Sequence, residues 1–72
     1  MMKEIKINTE YITLGQFLKL ADIIQSGGEA KMYLLDAEVL VNDELDTRRG
    51  RKLRDGDVVE VENQKFVIKQ CM

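Results

Sequence analysis

"SGGEAKMYLLDAEVLVNDELDTRRGRKLRDGDVVEV", Ser26 to Val61, carries the signals that decide the fold. Ser26 with Glu29 three residues on has the spacing of a capping box, in which each side chain bonds a backbone N–H at a helix start. Ala30, Tyr33, Leu34 and Ala37 then recur at helical spacing and predict one buried stripe. Gly27 and Gly28 fall in the first turn, a weak place for glycine but one that suits a tight link from a preceding element. Lys31 lies one position off the stripe, where its head reaches solvent. Next, "EVLVNDELD" reads as a strand over Val39–Val41, a turn at Asn42–Asp43 and a return strand through Leu45. Asn and Asp tolerate the positive φ that hairpin turns need. "RDGD" predicts another turn with Gly56 at the special-φ position, and "VVEV" a strand.

Outward from this stretch, "KEIKI" (Lys3 to Ile7) alternates polar and apolar, a half-buried strand signal. "TLGQFLKLADIIQ" opens with Thr13 and Gln16 as a capping box and places Leu14, Phe17, Leu18, Ala21 and Ile24 on one helical stripe. After "VVEV", Asn63–Gln64 reads as a turn and "KFVIK" as a final strand with Phe66 and Ile68 on one face. The order is strand, two helices in tandem, then antiparallel strands. That predicts a single α+β domain over residues 1–72, its helices packed on one face of a small, mainly antiparallel sheet.

Composition narrows the function. The chain has 72 residues and net charge −2, yet residues 48–54 hold Arg48, Arg49, Arg51, Lys52 and Arg54 with no acid among them. The remainder carries 6 cations against 13 acids. Four of the five clustered cations are arginine, whose planar fork suits bidentate phosphate contact. A solvated charged loop is the ordinary reading of such a run. The concentration of arginine in an otherwise acidic chain points instead to an anionic partner, held by one face in one orientation. Catalysis has little support, because there is no histidine and no nucleophile–base pairing. The acids Asp43, Glu44, Asp55 and Asp57 fall in predicted turns. Cys71 lacks a partner for a disulfide or a zinc site and reads as an incidental residue near a frayed end. No apolar run is long enough to cross a membrane, and "MMKEIKINTE" is too charged for a signal peptide, so a cytoplasmic location is expected.

The stretch from Thr13 to Val61 resembles the S4 domain, the αL RNA-binding motif. Ser26, Glu29 and Ala30 match the opening of that family's second helix, and Lys31 stands where the family often has Arg. "VLVND" matches its hairpin and "LRDGDVV" its closing turn and strand, with the core motif over about residues 13–61. The run "DTRRGRK" resembles that of the small stand-alone members, which are little more than this domain. Two positions depart. Gly27 stands where many members carry Arg, which removes a phosphate contact, and Asp43 replaces a Gly and puts an acid near the binding face.

The resemblance implies shape and backbone recognition of structured RNA. It points to ribosomal RNA or pre-ribosomal particles, with no cofactor, metal, membrane or small-molecule substrate, and a monomer is expected. The contacting set it implies is Lys31, Arg48, Arg49, Arg51, Lys52 and Arg54, with Lys19 on the first helix as an extra. Aromatic stacking is not expected to dominate: Phe17, Tyr33 and Phe66 read as core, and Tyr11 alone makes no single-strand platform. Two rivals stay open at this level. One is a protein-interaction module that sets the basic segment on an acidic partner. The other is a β-grasp sulfur carrier, which the ending "KQCM" and the tandem helices oppose.

Overall fold

The computed structural model describes residues 2–71. Strand β1 (Met2–Ile7) is followed by a short β2 (Ile12–Thr13), helix α1 (Leu14–Leu20), a 3-10 turn (Gly27–Glu29) and helix α2 (Ala30–Asp36). Five strands complete the chain: β3 (Leu40–Val41), β4 (Glu44–Leu45), β5 (Lys52–Leu53), β6 (Val58–Val61) and β7 (Gln64–Gln70). The main sheet runs β1-β7-β6-β3-β4, and β2 with β5 forms a separate two-stranded ribbon. All pairings are antiparallel except β1 with β7, where Ile5 lies beside Ile68. That parallel pair needs the intervening chain as its crossover. This is the α+β architecture expected, with two helices in tandem where a β-grasp carrier has one principal helix.

Alternation puts Ile7, Val41, Val59, Val61, Phe66 and Ile68 on the covered face of the sheet. Helix α1 packs there through Leu14, Phe17 and Leu18, all fully buried. The rings of Phe17 and Phe66 meet edge to face with centroids 5.2 Å apart. Ala30 and Leu34 bring α2 into the same core, while Tyr33 sits half-buried at its rim and donates its hydroxyl to Glu62 Oε1 at 2.9 Å. Tyr33 is thus a rim residue, less buried than its place in the stripe suggests.

Both main-sheet hairpins turn over two residues with positive φ, Asn42 (51°) with Asp43 (69°) and Glu62 (53°) with Asn63 (61°). This is the backbone that matches the twist of the flanking strands. The second turn lies one residue earlier than the sequence suggests, and Gln64 already pairs with Val61. Gly56 takes φ 90° as expected.

Two helix expectations need correction. Helix α1 ends at Leu20, so Ile24 does not reach the core along a helical stripe. Asp22, at φ 61°, reverses the chain: its N–H bonds Lys19 O and the N–H of Ile23 bonds Leu18 O. That double bond is a Schellman motif, and it delivers Ile24 into the core from a loop. The Ser26–Glu29 capping box does not form. The turn is 3-10, so the Glu29 N–H is taken by the backbone carbonyl of Ser26 at 3.1 Å rather than by its hydroxyl. Glycines at 27 and 28 favour helix poorly, which is consistent with the tighter first turn. The Thr13–Gln16 box, by contrast, is complete in both directions. Cys71 is exposed, but its N–H bonds Ile7 O at 2.7 Å, so its backbone is paired rather than frayed. Among the described residues no helix is long and apolar enough to cross a membrane.

Candidate nucleic-acid interface

The basic segment is strapped across the start of α1. A helix leaves its first N–H groups without internal partners. Here Leu14 N–H donates to Arg51 O at 2.8 Å and Gly15 N–H to Arg49 O at 2.9 Å. The next free donor, Gln16 N–H, goes to Thr13 Oγ1. Beyond this, β5 pairs with β2 in the register Ile12↔Leu53 and Thr13↔Lys52, and Ile12 and Leu53 are buried. The loop backbone is therefore fixed from both sides.

Gly15 lies at the point of closest approach. A Cβ at that position would lie 3.4 Å from both Ala30 Cβ and Arg49 O. Helix α1, the start of α2 and the basic loop converge there. Gly15, Gly27, Ala30, Arg49 and Gly50 border a shallow groove between them.

One acid enters the cluster that the sequence shows as free of acids. Asp46 is 6% exposed, and its N–H continues the β3–β4 hairpin by bonding Val39 O. Its carboxylate accepts from Arg48 N–H (2.8 Å), Arg48 Nε (3.1 Å), Arg48 Nη2 (2.9 Å) and Arg51 Nη1 (2.8 Å). The Arg48 hydrogen bonds hold the Asp46 carboxyl well below the usual carboxylate range, against the opposing effect of its burial. Two of the five clustered cations thus share a buried anion. The Arg48 side chain remains 71% exposed, while that of Arg51 is 29% exposed.

The other sequence-predicted residues divide by position. Arg49 is exposed on the groove beside Gly50. Lys52 and Arg54 extend along the ribbon to Tyr11, with Lys52 Nζ 5.0 Å and Arg54 Cζ 5.5 Å from its ring centroid. Arg54 also lies 3.5 Å from the exposed Glu10. Lys31 is exposed on α2, one residue after Ala30, and is not among the residues that line the groove. Lys19 stands in the last turn of α1, where a cation complements the helix dipole, and lines a separate hollow with Ile12, Gln16 and Leu20.

Of the acids expected in turns, Asp55 and Asp57 are structural, while Glu44 lies in β4. Asp57 accepts from Arg54 N–H (2.8 Å) and from Asn42 Nδ2 (3.1 Å), while Asp55 accepts from Gln70 N–H (2.8 Å). Asn42 Oδ1 in turn accepts from Val58 N–H. The hairpin tip and the "RDGD" turn are thereby tied together, which fixes the exit of the basic segment. Sequence reasoning left out Asp46 and gave Tyr11 no role. The signal for Asp46 was its place two residues before Arg48, and for Tyr11 a large ring just ahead of a helix cap.

Tandem helices on a sheet, with a cationic loop bound to the mouth of the first helix, define an S4 domain. The S4 domain family model matches residues 5–69, and the chain belongs to that family. It is 71% identical over 62 residues to the probable ribosome maturation protein RlbA of Bacillus subtilis (strain 168), covering 86% of this chain and 87% of that one.

Proposed function

We propose that this protein binds structured RNA without catalysing a reaction, and that its target is ribosomal RNA during ribosome assembly. The observation that carries the reading is the rigid attachment of residues 48–54 to the start of α1. Arginine and lysine charges on a backbone already held by hydrogen bonds meet phosphates at reduced cost in ordering. The kinship with a ribosome maturation protein supports the ribosomal target. A-form RNA presents its backbone and 2′-hydroxyls more readily than its major-groove base edges, so recognition rests on shape. Arg49, Lys52, Arg54 and Lys31 are the principal contacts, Arg48 contributes its exposed edge, and Arg51 serves mainly to shape the loop. Lys19 lies on the flank of this surface and is a peripheral contact.

Arg48 and Arg51 are poor choices for a functional test, because their removal strips partners from the buried Asp46. The triple variant Arg49→Ala, Lys52→Ala, Arg54→Ala avoids that problem. Fluorescence anisotropy with a folded ribosomal RNA fragment at low salt should show affinity lowered by at least about tenfold. Its melting temperature should stay close to that of the parent. Undiminished affinity in the folded variant would refute this choice of surface.

A further inference from the structure

Tyr11 has no place in the phosphate-binding set, yet its position is specific. The β2–β5 register sets Ile12 against Leu53 and Thr13 against Lys52. Continued by one residue, it sets Tyr11 against Arg54. Ile12 and Leu53 point into the core. Side chains alternate along a strand, so Tyr11, Thr13, Lys52 and Arg54 share the outward side of the ribbon. Tyr11 is 38% exposed there. Lys52 Nζ and Arg54 Cζ lie 5.0 and 5.5 Å from its centroid. The adjoining segment, from Lys6 to Thr13, lines a hollow of about 610 Å³. An aromatic ring with two cations over it, beside a hollow that its own segment lines, matches the chemistry of one nucleotide, with its base on the ring and its phosphate on the cations.

We infer that Tyr11, with Lys52 and Arg54, holds a single unpaired nucleotide of the bound RNA, next to the helical segment gripped by Arg49. The inference rests on the RNA-binding reading above and deepens it from shape recognition to a preference for helices interrupted by a bulge. An exposed cation–π contact is weaker than a base stacked on an aromatic ring, so the base displaces the cations from the ring and they turn to its phosphate.

The test compares a blunt RNA duplex with the same duplex carrying one bulged 2-aminopurine, using the full chain. The parent should bind the bulged RNA about tenfold more tightly and quench the 2-aminopurine fluorescence on binding. Tyr11→Leu should bring the bulged-to-blunt affinity ratio to near one and abolish quenching, while Tyr11→Phe should keep both. A ratio near one for the parent, without quenching, overturns the inference while blunt-duplex binding still supports the RNA reading. An unchanged ratio in Tyr11→Leu likewise overturns it. Failure to bind either RNA removes the RNA reading itself, and this inference with it.

Discussion

Arg51 Nη1 donates to Asp46 Oδ2 at 2.8 Å, across side chains that are 29% and 5% exposed. The contact joins the end of the β3–β4 hairpin to the middle of the basic segment, and Arg48 closes on the same carboxylate. An acid inside a cationic site sacrifices some charge and gains a fixed loop shape. Asp46→Ala should cost about 1–3 kcal/mol of stability, read from urea unfolding at neutral pH. The Asp46 carboxyl has a lowered folded-state pKa, so its contribution is present above the unfolded value, about 3.9, and is lost as pH falls through the folded one. Asp46→Asn should flatten that acid limb of the stability curve.

Tyr33 behaves in the opposite sense. Burial first, then its hydrogen bond to Glu62 and that carboxylate's charge, push its phenol up to about 12. The folded state holds this proton more tightly than the unfolded chain does. The stabilisation is therefore complete below about pH 10 and is lost as pH rises toward 12. Ultraviolet titration should show one of the two tyrosines ionising near 12, and Tyr33→Phe should remove that late phase.

Asp22 closes α1 in a left-handed conformation with φ 61°. Branched side chains tolerate that region badly, so Asp22→Val should destabilise by about 1–2 kcal/mol, and Asp22→Gly should be neutral or mildly stabilising. Thermal melts of the two variants check this directly. Equal melting temperatures would mean that the Schellman turn does not fix the path to Ile24.

Gly15 lies where α1, α2 and the basic loop meet. A Cβ at Gly15 would lie 3.4 Å from Ala30 Cβ and Arg49 O, at the edge of ordinary contact, so the further methyls of Gly15→Val should crowd the loop and push it away. It should lower stability by about 1–3 kcal/mol. It should also weaken RNA binding by more than that loss explains, because Arg49 moves with its carbonyl. Anisotropy measured where the variant remains fully folded separates the two effects.

Local chemistry was readable where one short stretch contains all of it. Thr13 and Gln16 satisfy each other within one turn, and Asn42–Asp43 carries its own preference for positive φ. The same reasoning failed at Ser26 and Glu29, because two glycines let the turn tighten and the carbonyl displaced the hydroxyl. It stopped short at Ile24, whose apolar spacing is helical although its backbone is not. What depended on distant pairing was hidden. Neither the parallel alignment of β1 with β7 nor the strapping of Arg49 and Arg51 onto α1 follows from periodicity. Asp46 counted as one more acid until the hairpin folded it against the arginines. The cation cluster was evident from composition, but the division between clamped and free cations required the fold.

The salt dependence of RNA binding bears most directly on whether a fixed cationic loop docks on folded RNA phosphates. With four to six phosphate contacts, a plot of log K against log salt should have a slope of about −3 to −5 for a folded ribosomal RNA fragment. Arg49→Ala alone should make it shallower by about one. A slope near zero, or one that Arg49→Ala leaves unchanged, would contradict the assignment of this loop as the RNA-binding surface.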